Sequence, residues 1–505
     1  MKYRNPVIPG FHPDPSICRA GNDYYLATSS FEYFPGVPVF HSKDLAHWRQ
    51  IGHCLTRRSQ LDLTSIHSSG GIFAPALRYH DGLFYMISTV VGGRGHFIVT
   101  AQDPAGEWSD PVWVEGKGFD PDLFFDDDGK VYFQRHDNGE GIYQREIDVK
   151  TGALAGEERW IWKGFEDKYC EGPHLYKING LYYLIAAEGS THRGHMVVAA
   201  RSSKPTGPFE GCPHNPILTH RCKLFSPIQA AGHGDLICAH DGSWWMVFLG
   251  IRQIGWGFHH LGRETFLAPV TWTEDGWPVV NGGKPVELVM DAGNLTGHPW
   301  PPIPVRDDFD GQYLGLAWNF RRNPGKKDWS LSERPGCLRL TGTSLTLDDM
   351  NFSTFIGRRQ EHFECTVSAL VDFQPQTEGE EAGLTVLMNE EHHYEIAVTR
   401  EDGSRQVMVR RRIGDLQKVV AREPAPEGPV ILQITTKPHY YHFEYGREGE
   451  PPCRISTAAT RYLAQEVAGG FTGVYFGMYA TGNGIESRTP AYFDWFEYEP
   501  DVSPA

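Results

Sequence analysis

At 505 residues the chain has room for roughly three domains, or two if one is a large all-β unit. Its 47 Lys and Arg stand against 63 Asp and Glu, a formal charge of −16 that would repel a phosphate backbone and argues against a nucleic-acid partner. With 40% hydrophobic and 22% charged residues, and no apolar run near the ~18 residues of a membrane span, it reads as a soluble globular protein with no membrane partner.

The N-terminus carries no apolar stretch of signal-peptide length before Asp14 and Arg19, so a cytoplasmic location is expected. An aromatic content of 13%, with 56 Gly and 35 Pro, favours many short strands over long helices. In chain order, a turn followed by an aromatic-rich strand recurs at Asn22-Asp23, Asp81-Gly82, Asp128-Gly129, Asn179-Gly180 and Asp241-Gly242. The spacing of about 50 to 60 residues suits one four-stranded sheet per repeat, and sheets repeated radially make a β-propeller, here with five blades.

Beyond the repeats, His298-Pro299-Trp300-Pro301-Pro302-Ile303-Pro304 places four prolines in seven residues and denies a sheet its donors. This divides the chain into an expected propeller over 1–297, a linker over 298–304 and a second domain over 305–505. The second domain alternates apolar and polar residues at 384–388, 394–398 and 441–445, as half-buried antiparallel strands do, and reads as a jelly-roll-like β-sandwich. The fold class is therefore all-β. Nine scattered cysteines, with no C-x-x-C pair, predict free thiols of a reducing compartment in place of disulfides or a zinc site. Nothing beside Cys170 reads as a base that would activate its thiol.

The segments ahead of the five turns can be compared directly: Pro13-Asp14-Pro15-Ser16, Phe73-Ala74-Pro75-Ala76, Phe119-Asp120-Pro121-Asp122, Glu171-Gly172-Pro173-His174 and Gly232-His233-Gly234-Asp235. Inner strands of a propeller converge on one channel, so Asp14, Asp120 and Glu171 are expected to face one another. Like charges held close together raise at least one pKa, and a protonated acid opposite an ionised carboxylate is the apparatus of glycoside hydrolysis. The competing reading is an oxygen-rich cation site formed by carboxylates with His233. The run Asp126-Asp127-Asp128-Gly129 fails the EF-hand template, since placing Gly129 sixth puts Phe124 at the first ligand position, and it reads as a solvated turn.

Several of these segments also carry a resemblance. Asn5-Pro6-Val7 and Gly10-Phe11-His12-Pro13-Asp14-Pro15-Ser16, then Phe31 to Val37, Ser42-Lys43-Asp44-Leu45, Gly118-Phe119-Asp120, Glu171 to Tyr176 and Leu261-Gly262-Arg263-Glu264-Thr265 follow in the order of glycoside hydrolase family 43. The likeness is to its β-xylosidase and α-L-arabinofuranosidase branch, and it extends to Arg306-Asp307-Asp308-Phe309 at the opening of a C-terminal sandwich. The resemblance implies an inverting enzyme with Asp14 as general base, Glu171 as general acid and Asp120 as the group that raises the pKa of Glu171 and orients the sugar. Base and acid would stand roughly 6.5–9.5 Å apart to admit a water. It further implies that Arg263 holds sugar hydroxyls near the carboxylates, that Phe31, Phe34 and Phe73 wall the pocket, and that Phe471 is lent to its rim by the sandwich. His233 resembles an axial histidine that holds a water or a calcium ion, although no cofactor is required.

The second repeat departs from the family, which commonly carries Trp-Ala-Pro-Asp where this chain has Phe73-Ala74-Pro75-Ala76, and a reshaped substrate-binding edge is expected from that change. The expected activity is exo-release of xylose or arabinose from short oligosaccharides, with self-association compatible with the two-domain plan. The alternatives are an endo-arabinanase with an open groove, and a lectin-like binder, which would have no need of a raised-pKa acid opposite a base.

Overall fold

Each of the five Asn/Asp turns joins the two innermost strands of one sheet. In a computed structural model describing residues 2–501, apart from 138–140, 167–168, 256 and 352, these sheets stand as five blades of a propeller. Their inner strands are Ser16–Ala20, Ala76–His80, Phe119–Phe125, Glu171–Ile178 and Ile228–Cys238, each paired antiparallel with the strand that follows its turn. At Asp81-Gly82 and Asn179-Gly180 both central residues have positive φ, the geometry that matches the twist of a tight hairpin. The run at 126–129 is also a hairpin turn, with Gly129 at positive φ, but Asp126 is not solvated as the sequence suggested. It is buried and accepts hydrogen bonds from Lys177 at 3.0 Å and Tyr182 at 2.8 Å.

The ring closes where the chain's beginning meets the propeller's end. Lys2–Arg4 pairs with Val289–Asp291, Val7 donates to the Thr265 carbonyl, and the Asn5 side chain donates to the Leu267 carbonyl at 3.0 Å. Neighbouring blades are also clasped side to side. The Ser16 hydroxyl accepts from Leu77 N of the next blade at 2.9 Å, Asp122 accepts from Leu175 N at 3.0 Å, and Asp235 accepts from Ile17 N at 3.0 Å. Between blades 4 and 5 the Tyr176 hydroxyl accepts from Leu236 N. Ala76 occupies the equivalent position in blade 2, and its methyl packs instead among Ile87, Ile98, Leu123 and Phe133.

The prolines at 299–304 run without regular structure against blade 1, where Trp300 donates to the His47 carbonyl and His298 N to Asp44. After them two sheets face each other in a sandwich, from Arg306–Asp307 to Pro490–Pro500. Residues 1 and 502–505, included in the expected domain spans, lie outside the described residues. One sandwich sheet ends in Tyr33–Phe34, a strand supplied by blade 1, paired with Asn319–Arg321. A single apolar core runs from blades 1 and 2 through this strand into the space between the sandwich sheets. All nine cysteines are unbridged. Among the described residues the only α-helix is Gln465–Ala468, and no helix is long and apolar enough to cross a membrane.

Candidate active site

The inner strands do not enter the channel straight. In the third, fourth and fifth blades the pairing slips between Phe119 and Asp122, between Glu171 and His174, and between Gly232 and Asp235, so each of these three strands carries a bulge at its top. A bulge bends a strand and re-aims a side chain. Asp14, Asp120, Gly172 and His233 hold φ values of +54°, +53°, +57° and +49°, a region that L-residues other than Gly seldom occupy. These four stand at one level of the repeat, together with Ala74. Glu171 therefore sits one residue earlier than Asp14 and Asp120, level with Phe73 and Phe119. Gly172 fills the position of the third acid for a steric reason: a Cβ there would stand 2.7 Å from Cε1 of His233.

The expected convergence is present. Asp14, Asp120 and Glu171 line one cavity of about 260 Å³, with Arg263 and His233 in its wall. That volume is slightly below the ~300 Å³ floor of drug-sized ligand pockets and suits a small sugar unit. Arg263 Nη1 donates to Asp14 Oδ1 at 2.9 Å, and the Ser29 hydroxyl donates to Asp14 Oδ2. Burial would raise the Asp14 pKa, but Arg263, His233 and the Ser29 hydrogen bond outweigh it and hold the carboxyl below its ordinary value. Glu171 is moved the other way. Burial first, and then the negative charge of Asp14, push it up to about 8 against the pull of Arg263. Asp120, which accepts from Gly172 N at 3.2 Å, is also raised, by burial and then by Glu171 and Asp14. Asp120 and Glu171 thus titrate as a pair that retains a proton near neutral pH, beside Asp14, whose carboxyl is held low.

Four phenylalanines build the apolar wall. The Phe31 and Phe73 ring centroids lie 5.1 Å apart, Phe31 and Phe471 6.1 Å, and Phe73 and Phe119 6.0 Å. The Arg263 guanidinium lies 5.6 Å from the Phe31 ring and 5.8 Å from that of Phe471, and donates to the Phe471 carbonyl at 3.3 Å. The sandwich loop bearing Phe471 is fastened to the propeller. Phe471 N donates to the Ser69 hydroxyl at 2.8 Å, Ser69 N to Glu32, and Val474 N to the His260 carbonyl.

Two expectations are corrected. Phe34 does not wall the pocket, because its strand is the edge of a sandwich sheet and its ring is spent in the core with Phe320 and Ile356. Nor is Ala76 at the substrate-binding edge: it lies in the seam between blades 2 and 3, and only Phe73 and Ala74 of that segment reach the cavity. Sequence reasoning missed Phe119, Tyr169, Ser190 and Thr191 in the lining, and Ser29 behind Asp14. Phe119 was within reach of it, since it stands in its repeat where Phe73 stands in the preceding one. The others carry no repeat signal.

His233 Nδ1 lies 3.8 Å from Asp14 Oδ1. Burial first, then His174 and Arg263, against the pull of Asp14, lower its pKa to about 4, so the ring is neutral at neutral pH. No group of three or more His, Cys, Asp or Glu converges on a metal-sized site among the described residues. Cys170 is buried, and its thiol is pushed well up by burial and then by the carboxylates of Glu188 and Glu171, which makes it a poor nucleophile.

The family model described as Glycosyl hydrolases family 43 matches residues 3–278, and that described as Beta xylosidase C-terminal Concanavalin A-like domain matches residues 306–499. The chain is 48% identical to a non-reducing end alpha-L-arabinofuranosidase of Bacteroides ovatus, covering 98% of this chain and 94% of that protein. It is 38% identical to a xylan 1,3-beta-xylosidase of a Vibrio species, over 98% of each. A solved structure described as Bacteroides ovatus Xyloglucan PUL GH43B superposes with a TM-score of 0.96 at 48% identity, covering 99% of this chain and all of that one.

Proposed function

This chain belongs to glycosyl hydrolases family 43, and from that premise we propose that it removes single pentose units from the non-reducing ends of short or branched oligosaccharides, with inversion at the anomeric carbon. In this reading Asp14 takes a proton from a water poised beneath the anomeric carbon. Glu171 gives its proton to the departing glycosidic oxygen, and no covalent intermediate is formed. Asp120, raised together with Glu171, shares the pair's proton and helps to orient the sugar. Arg263 holds Asp14 ionised and offers its remaining donors to sugar hydroxyls, while Phe31, Phe73 and Phe119 face the apolar side of the ring.

The observation that carries the reading is the opposed titration of two buried carboxyls in one small cavity: Asp14 pulled down by Arg263, Glu171 pushed up to about 8. Phe471 supports the exo character, because an aromatic from the second domain walls one side of a small cavity that suits a chain end better than its middle. Arabinofuranose is the favoured pentose, since the arabinofuranosidase of Bacteroides ovatus is the nearer of the two relatives named, and xylopyranose is the second.

Side-by-side hydrolysis of para-nitrophenyl α-L-arabinofuranoside and β-D-xylopyranoside tests this, with Asp14→Asn as the blank. Release that the variant abolishes is the expected result, with the ratio of rates reporting the preferred sugar. Wild-type silence on both would overturn the pentosidase reading.

A further inference from the structure

We propose that Arg78, with the two aspartates it bridges, Asp122 and Asp235, is a positioning centre that sets the spacing of Asp14, Asp120 and Glu171 from below. The proposal rests on the catalytic reading of those three acids and extends it to residues that line no part of the cavity.

The inner strands carry Ser16, Asp122, His174 and Asp235 two residues beyond Asp14, Asp120, Gly172 and His233. These side chains meet across the propeller axis. Arg78 Nη2 lies 2.6 Å from Asp122 Oδ1 and 2.7 Å from His174 Nδ1, and Nη1 lies 3.1 Å from Asp235 Oδ2 and 3.4 Å from the Ser16 hydroxyl. Asp235 also accepts from the Ser16 hydroxyl at 2.7 Å and from Tyr176. One guanidinium from blade 2 thereby ties down the inner strands of blades 1, 3, 4 and 5. A guanidinium cannot accept a hydrogen bond, so His174 Nδ1 is the acceptor in this contact. Asp122 and Asp235 are fully buried, and the Arg78 side chain is 15% exposed.

The link to chemistry is covalent and short. Asp122 is two residues from Asp120, and Asp235 is two from His233, which stands beside Asp14. Each of those short connections contains the bulge that aims the upper side chain. A shift of Asp122 or Asp235 therefore moves a residue already held at positive φ, with few conformations open to it. The planar fork of Arg78 aims directed hydrogen bonds at Asp235 and His174 while its charge holds Asp122 Oδ1 at 2.6 Å, a directionality that an ammonium, as a point charge, lacks. Misplacement by about 1 Å can cost on the order of 100-fold in rate.

The decisive variants are Arg78→Lys, which keeps the charge and loses the fork, and Asp235→Asn. For each, kcat, KM, the pH profile and the melting temperature are measured on a para-nitrophenyl pentoside that the wild type cleaves. The expected result is a roughly 10- to 100-fold fall in kcat with KM changed less than about threefold, and an alkaline limb displaced from that of the wild type. In Arg78→Ala, millimolar guanidinium should restore part of the lost kcat where equal ammonium does not. Wild-type kcat in Arg78→Lys would overturn the proposal. So would a loss that only follows the unfolded fraction, with an unchanged pH profile. If Arg78→Ala does not fold, the Lys and Asn variants decide alone. Activity surviving in Asp14→Asn and Glu171→Gln would instead overturn the underlying catalytic reading, and those variants are assayed in parallel.

Discussion

Arg263 and Asp14, 249 positions apart in sequence, form a buried ion pair of 2.9 Å at the floor of the cavity. The pair joins the last blade to the first, and it holds Asp14 low while Glu171 in the same cavity is raised. Replacing Arg263 by Met removes the main charge that holds Asp14 ionised and leaves burial to raise it. The acid limb of kcat/KM should then move to higher pH, and kcat should fall by more than about tenfold, roughly the rate equivalent of 1.4 kcal/mol. An unmoved acid limb would remove Arg263 from this role.

Glu171→Gln should lower kcat by about 10²- to 10⁴-fold on a disaccharide with an unactivated leaving group. The loss should be much smaller on a dinitrophenyl pentoside, whose leaving group departs without a proton. Asp14→Asn should be severe on both, because water activation is needed whatever leaves. Rates on the two substrates, for the two variants, separate acid from base.

The pH profile follows from the same pair of carboxyls. Glu171 must be protonated to act, so activity should be present below its raised value and decline as pH rises through about 8. Asp14 must be ionised, so the acid limb should lie below the ordinary carboxylate range. Because Asp120 and Glu171 titrate together, the alkaline limb belongs to the pair, and Asp120→Asn, which leaves Glu171 to titrate alone, should displace it. A profile of kcat/KM over pH 4–10 checks both limbs.

Gly172→Ala tests the crowded level of the ring. The new methyl would meet His233 at 2.7 Å on a residue with φ of +57°. A destabilisation of about 1–3 kcal/mol is expected from the backbone conformation alone, with a fall in kcat as His233 is displaced against Asp14. Thermal melting beside steady-state kinetics reads both effects, and a variant with wild-type melting and rate would remove the steric argument.

Much of this was legible because the fold repeats. Five Asn/Asp turns marked five hairpins, and aligning the segments ahead of them put Asp14, Asp120 and Glu171 into one channel. The same alignment places Phe119 over Phe73, yet an apolar residue in a repeat looks like core until its exposure is seen. Glu171 stands one residue out of line, a shift a bulge absorbs and a linear comparison does not register. Phe34 misled for the opposite reason: its neighbour Phe31 does wall the cavity, but a strand pairing with a segment almost 300 residues distant turns the next aromatic inward. Ser29, Ser190 and Thr191 lie on loops whose course depends on packing between blades, and short hydroxyl side chains carry no periodic signal.

The strand Tyr33–Phe34 has a consequence for how the protein folds and fails. Because blade 1 completes a sandwich sheet, and the sandwich returns Phe471 to the cavity, the proline-rich segment separates two stretches of chain without separating two cooperative units. A fragment ending at that segment would lose an aromatic of its active site, and the fragment beyond it would bare the unpaired edge of Asn319–Arg321. Calorimetry of the intact chain should therefore give one transition where the linear map suggests two, and inactivation should coincide with it.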